Sequence, residues 1–226
     1  MIRIGELKDE AIAVLNGKWS SFVGLTFVYM LIAMVIAVPS NAASLMQGSF
    51  MNRMAVILTC VGIVISFLMV PMQFGYYLAH MNASRQDMPA EIGDLFACYP
   101  NILKIIGTCL LLGVICVVGF ALLIVPGIIF ALMYSMVPFI LIDNPEMSIL
   151  DAFKKSREMM RGHKLYYLLL NLSFLGWMLL AILSFGLGLL WLMPYMIMTE
   201  FKFYEHLCKE DSQEEFIDFV KDTEMA

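Results

Sequence analysis

The sequence predicts an all-α, polytopic transmembrane protein, with six spans arranged as three helical hairpins, each preceded by a short amphipathic interfacial helix. Three observations carry this. Of 226 residues, 61% are hydrophobic and 15% charged, with a mean hydropathy of +0.83, whereas an ordinary soluble domain is about half apolar and about one quarter charged. Too few polar side chains remain to cover a soluble globule. Four stretches, residues 19–52, 54–84, 105–142 and 165–199, contain no Asp, Glu, Lys or Arg, and each exceeds the roughly 20 residues that a spanning helix needs. Finally, the basic residues fall almost entirely on one side of these runs.

The elements follow in order. Ile4, Leu7, Ala11, Val14 and Leu15 recur at helical spacing and predict a first amphipathic helix. Its acids Glu6, Asp9 and Glu10 mix with Arg3, Lys8 and Lys18. The apolar run beyond them is longer than a signal-peptide core, so it reads as a retained first span. That span, 19–38, is expected to end at Pro39-Ser40-Asn41. The second, 54–80, is expected to end at polar residues 82–87. Ile92, Leu95, Phe96 and Tyr99 predict a second amphipathic helix at i, i+3, i+4 and i+7.

The third and fourth runs are too long for single spans. At 1.5 Å per residue they would extend about 53–57 Å, against a hydrocarbon core of about 30 Å. Pro126-Gly127 is expected to divide the third into 105–124 and 128–142, and Gly186-Leu187-Gly188 the fourth into 165–185 and 189–199. The second arms are short. Each holds a proline, Pro138 or Pro194, and the last must borrow Phe201, Phe203 and Tyr204 to cross. Re-entrant hairpins that turn inside the bilayer are the alternative. Between these runs, Ile149, Phe153, Ser156 and Met160 predict a third amphipathic helix surrounded by Lys154, Lys155, Arg157 and Arg161. Ser148 and Asp151 form its N-terminal capping pattern, and Gly162 is its C-terminal stop.

The same order, surface helix, span, tight turn and span, then occurs three times. Lys104 precedes Pro126 by 22 residues, as Lys164 precedes Gly186. The expected organisation is one membrane domain over 1–204, with hairpin units 1–80, 88–142 and 143–204, followed by an acidic cytoplasmic tail over 205–226. That tail has eight acids and two bases, so the net charge of −5 is a tail of −6 on a body of +1. Phe216, Phe219 and Val220 lie on one face of the tail. No basic domain is available for nucleic acid.

With the N-terminus cytoplasmic, thirteen of the fourteen bases fall inside and only Arg53 outside. The positive-inside rule therefore puts both termini in the cytoplasm. The expected partner is the lipid bilayer. Lys154, Lys155, Arg157, Arg161 and Lys164 would contact anionic headgroups, with the apolar faces of the surface helices turned down toward the membrane. A connector helix whose bases merely obey the topology rule is the plainer reading.

The stretch from Asp143-Asn144-Pro145 through Phe153, Ser156 and Met160 to Gly162-His163-Lys164 resembles the signature of the bacterial integral-membrane family called domain of unknown function 975. Leu172-Ser173-Phe174-Leu175-Gly176-Trp177, Pro194-Tyr195 and Phe203-Tyr204 fit it too, as does Val125-Pro126-Gly127-Ile128 in the middle hairpin. The likeness is good over about 105–207 and weaker before. It implies a multi-pass protein of the bacterial inner (plasma) membrane, with Asp143, Pro145, Ser156, Gly162, Trp177, Pro194, Tyr195 and Tyr204 as family positions. It implies no activity, substrate or site.

Chemistry is sparse. No HExxH, GxSxG, Walker or dinucleotide-binding pattern occurs, so no catalytic residue, cofactor or metal is expected. Glu205-His206 with Cys208 lacks a second ligand cluster. Asp143 before Pro145 reads as a helix-terminating turn. The five cysteines read as free thiols acting as small hydrophobes. His80 reads as an interfacial residue at a span end. Gln73 and Asn171 are the costliest polar groups in lipid and are expected to face other helices. No two glycines stand in GxxxG spacing, so packing must use other small residues. The expected role is non-enzymatic: organising lipid or a membrane-protein partner, or a second copy, through the cytoplasmic-face helices. A small transporter, or a lipid- or peptide-handling protein with a cavity between hairpins, is the alternative.

Overall fold

The computed structural model describes the backbone of residues 3–44 and 49–224, with side chains other than those of 36–55, 58, 64, 65, 122 and 214–224. The side chains of Arg53, Phe216, Phe219 and Val220 therefore lie outside the described residues. The chain forms α1 (Ile4–Leu15), α2 (Trp19–Ser44), α3 (Ser49–Gln86), α4 (Ile102–Leu122), α5 (Ile124–Met133) and α6 (Val137–Asp143). There follow α7 (Ile149–Met159), α8 (Lys164–Leu172), α9 (Leu175–Leu183) and α10 (Leu189–Glu224). No strand occurs among the described residues.

Four segments, Thr59–Gln86, Ile92–Ala121, Ile124–Asp143 and Lys164–Leu183, are long and apolar enough to cross a membrane, and α1 with the start of α2 makes a fifth if that pair is one broken span. This is a helical membrane protein. Many large apolar side chains point outward, among them Leu103, Val117, Ile124, Leu183 and Phe185, as lipid-facing surfaces require. α10 is apolar only in its first eleven residues, because Glu200, Lys202 and Glu205 follow.

Several expected boundaries shift. α2 runs through Pro39 to Ser44, and α3 begins at Ser49 and carries Pro71 inside. Prolines are tolerated in apolar helices where neighbouring groups re-satisfy the freed carbonyl. The second surface helix is not an α-helix. Ile92–Phe96 and Tyr99–Asn101 are 3-10 turns, and Pro100 lacks the N–H that an α-helical turn would use. The third run breaks at Leu123, whose backbone is extended, rather than at Pro126-Gly127. Pro126 instead occupies the first turn of α5, where its missing N–H costs nothing. The fourth run turns where expected, with Phe185 (φ 55°) and Gly186 (φ 84°) both left-handed. α10 continues without interruption through 205–224, so the acidic tail is the end of a long helix.

Two compact units are present, Gly17–Leu110 and Met1–Asn16 with Leu111–Ala226, the division falling inside α4. Within the first, α2 packs along α3. Phe22, Leu25, Thr26, Met72, Tyr76 and His80 are buried there. The Thr26 and Tyr76 hydroxyls are 2.6 Å apart, and Tyr29 stacks on Tyr76 at 5.3 Å. The 3-10 turn presses onto Gly75, where an added Cβ would fall 2.4 Å from the Asp94 carbonyl oxygen. Lys18 forms an ion pair with Asp87 at the end of α3.

The second unit is built on α10. α1 lies against it and buries Leu7, Ala11 and Leu15, and the Lys8 ammonium sits 4.2 Å from the centre of the Phe174 ring. α6 stacks Phe139 on Tyr204 at 5.6 Å. Hairpin turns are closed by small residues. Gly127 meets the Phe120 ring, and Gly188 meets Ala181. Glycines thus pack across the turns, although none stands in GxxxG spacing.

Candidate functional site

Three groups of side chains in the second unit have chemistry to offer. The first is α7. Ser148 caps it by accepting from the Asp151 amide at 3.2 Å and donating to the Asp151 carboxylate at 2.6 Å. This hydrogen bond, ahead of the weaker help from Lys154, holds the Asp151 carboxyl below the usual carboxylate range. Ala152, Phe153, Ser156 and Met159 are buried. The Ser156 hydroxyl donates to the Met133 carbonyl at 2.9 Å, and Phe153 packs on Tyr134 at 5.0 Å.

The apolar side of α7 is therefore closed by the protein's own residues, which corrects the expectation that it lies face-down on the membrane. That stripe meets α5, α6 and α10, while Leu150 at the start of α7 stays 64% exposed. The rest of the outward surface is mostly charged. Lys154, Arg157 and Arg161 are exposed and Lys155 is half-buried. Lys164 departs from this set, because its ammonium lies 3.7 Å from the Met133 sulfur.

A second group is polar, with one buried member and three half-buried ones. Tyr167, 7% exposed, is the hub. Its hydroxyl is hydrogen-bonded to Glu200 of α10, with Ser135 of the α5–α6 turn and Asn171 of α8 as further partners. The Asn171 amide also donates to the Tyr167 carbonyl at 3.0 Å, and Phe203 stacks on the Tyr167 ring at 5.4 Å. Sequence reasoning singled out Asn171 but missed Glu200, which stands immediately after the fourth charge-free run. The signal was available: counting Phe201, Phe203 and Tyr204 into the last arm already enclosed Glu200 in apolar surroundings.

In the third group His206 is 3.0 Å from a Glu10 oxygen, and His163 is 3.4 Å from a Glu210 oxygen. Leu7, Tyr166, Phe203 and Leu207 complete a cleft of about 20 Å³, room for roughly one water. Glu205, His206 and Cys208 do not gather, since Glu205 is directed to Lys202 at 2.8 Å. Among the described residues no three His, Cys, Asp or Glu side chains are placed to hold a metal ion.

The remaining sequence candidates are dispersed. Gln73 is exposed and donates to the Tyr77 hydroxyl at 3.1 Å, one turn along its own helix, so it does not reach across to another. His80 is fully buried, against the interfacial expectation. Its ring lies 4.6 Å from Phe22 and 4.7 Å from Tyr76, and its Nδ1 donates to the Tyr76 carbonyl at 2.8 Å.

The motif positions serve mainly to join helices. Tyr204 donates to Asp143 at 2.8 Å, and Asp143 ends α6 just before the turn that holds Pro145. Ser156 ties α7 to Met133, while Gly162 (φ 87°) turns the chain after α7. Pro194 is buried inside α10, and Tyr195 meets Phe174 edge-on at 5.2 Å. Trp177 is 60% exposed.

No curated protein and no solved structure matches the chain. Residues 42–211 match the family described as "Protein of unknown function (DUF975)", a span reaching well ahead of the stretch on which the motif likeness rests. With most of its length matched, and with the motif residues forming the joints between its helices, the chain belongs to the DUF975 family.

Proposed function

We propose that this protein is a non-enzymatic, multi-pass protein of the bacterial inner membrane, with six spans in three hairpins and both termini cytoplasmic, which organises anionic lipid or a membrane-protein partner through the basic side of α7. The observation that carries the reading is the locking of α7. Its apolar residues are held by Met133, Tyr134 and α10, so Lys154, Arg157 and Arg161 stand together on an outward surface. Recognition then works through charge at the headgroups, at about 1 kcal/mol per base near an anionic surface. The test is co-sedimentation of purified protein in nanodiscs with phosphatidylglycerol-containing or purely phosphatidylcholine vesicles. A preference for the anionic vesicles that neutralising these bases removes is the expected result, and equal binding to both counts against the proposal.

A second reading, a small transporter or a lipid- or peptide-handling protein, draws on the half-buried cluster of Ser135, Tyr167, Asn171 and Glu200. Polar groups meeting from three elements between apolar helices are an arrangement that transporters use. Solute flux in proteoliposomes that Asn171→Leu abolishes would favour it, and an unchanged flux after that substitution would discard it.

A further inference from the structure

We propose that the turn of the third hairpin, residues 184–188 between α9 and α10, lies in the acyl region of the far leaflet and is covered by lipid chains rather than by periplasmic water. The inference rests on the membrane-hairpin reading of 165–199 and refines it. Both arms rise from the cytoplasmic side, and their connection closes without a periplasmic loop.

Side-chain chemistry is the first support. No charged residue stands between Lys164 and Glu200. Leu183, Phe185, Leu187 and Trp191 are 78%, 99%, 64% and 53% exposed, an apolar surface that water disfavours. Phe185 also takes a left-handed backbone (φ 55°), where turns in water favour Gly, Asn or Asp.

The backbone agrees. A helix start ordinarily leaves its first amides to water, and hydrocarbon excludes a turn whose amides are left unpaired. Here every backbone amide from Ser184 to Leu192 is bonded within the turn or its two arms. Phe185 donates to the Ile182 carbonyl and Gly186 to the Ala181 carbonyl, each at 3.0 Å, and Gly188 donates to the Ser184 hydroxyl oxygen at 2.9 Å. That hydroxyl, the one polar side chain of the turn, itself donates to the Ala181 carbonyl at 2.7 Å.

Length decides what covers the turn. Lys202 pairs with Glu205 at 2.8 Å, and His206, Lys209 and Glu210 follow, which sets the cytoplasmic boundary of α10. From Leu189 to Lys202 the helix rises about 20 Å, against a hydrocarbon core of about 30 Å. The residues between α9 and α10 fold back, Gly186 onto Ala181 and Leu189 onto Gly186, so they do not supply the remaining distance. A periplasmic protein could cover only a turn that emerges.

The test is tryptophan fluorescence of the full chain in proteoliposomes of phosphatidylcholine brominated at defined acyl positions, with iodide on both sides as the aqueous quencher. Phe185→Trp, in a chain whose Trp19, Trp177 and Trp191 are replaced by Phe, reads the turn. A chain keeping only Trp191 reads it with Phe185 in place, and a chain keeping only Trp177, on α9, is the control for the hairpin as a whole. Bromolipids are expected to quench the indole at position 185 several-fold more than iodide does, and Trp191 is expected to respond most to deeper bromines than position 185 does. Reporter fusions after 186 remove α10 and read the direction of the preceding arm, not the depth of the intact turn.

Iodide quenching at position 185, with bromolipid quenching of Trp177 retained, overturns the proposal and puts the turn in water. Quenching of position 185 by neither agent overturns it in favour of a protein cover. Should Phe185→Trp unsettle the turn, Trp191 decides: a maximum at the bromine nearest the headgroup overturns the proposal. Loss of bromolipid quenching at Trp177 as well overturns the membrane-hairpin reading with it, so the two failures are distinguishable.

Discussion

The Tyr204 hydroxyl donates to the Asp143 carboxylate at 2.8 Å, joining residues 61 apart in sequence. Phe139, one turn before Asp143, stacks on the same tyrosine ring at 5.6 Å. Two family positions with no evident chemistry in the sequence thereby fasten α6 to α10. A hydrogen bond to a charged group contributes about 1.5–3 kcal/mol. Tyr204→Phe, which keeps the ring and its stacking, should destabilise the protein by that amount in detergent unfolding. Asp143→Asn, which retains an acceptor oxygen, should cost less. Equal and negligible losses would show that the pair does not hold the helices.

The α7 cap is expected to be worth about 1 kcal/mol. Ser148→Ala should raise amide exchange over Ile149–Met159 and leave the rest of the chain protected. The pH dependence follows from Asp151, whose folded carboxyl sits below its ordinary value because Ser148 donates to it. A depressed folded pKa means that this contribution is fully present above the unfolded value of about 3.9 and is lost as the pH falls through the folded one. Protection of α7 should therefore drop only below about pH 4, and Ser148→Ala should flatten that dependence.

Charge on α7 is divided by its surroundings. Replacing Lys154, Arg157 and Arg161 together by Gln should weaken binding to anionic vesicles by up to about 3 kcal/mol at low salt, less at physiological ionic strength. Lys164→Gln should leave vesicle binding nearly unchanged, because the Lys164 ammonium lies against Met133. Loss of binding on Lys164→Gln alone would contradict that division.

Gly75 and Gly113 provide a matched pair. A Cβ at Gly75 would overlap the Asp94 and Leu95 carbonyls at 2.4 and 2.5 Å, whereas at Gly113 it meets nothing within 4 Å. Gly75→Ala is expected to cost about 1–3 kcal/mol, as overpacking does. Gly113→Ala should be neutral or stabilise by up to about 1 kcal/mol. Thermal unfolding in a common detergent reads both.

Topology is tested by reporter fusions. Fusions after residues 90, 155 and 226 should give cytoplasmic signals, and those after 45, 125 and 186 periplasmic ones. A periplasmic signal at 90 or 155 would reverse the assigned orientation.

Membrane character and helix content were legible in the chain because both depend on local composition: long runs without charge need a bilayer, and a backbone in a bilayer must satisfy its own hydrogen bonds. Capping of α7 by Ser148 and the turn at Gly186 were legible for the same reason, since each depends on neighbouring residues alone. Partnership was not legible. Only the packing decided that the apolar side of α7 meets Met133 and Tyr134, that Lys164 turns inward, that Gln73 stays on its own helix and that His80 is buried. Glu200 shows the reason most directly. Periodicity places it on a helix, but its meeting with Tyr167 depends on α8 and α10 coming together, an event set by the shapes of buried side chains such as Phe203 and Tyr167 that hydropathy along one strand of sequence does not encode.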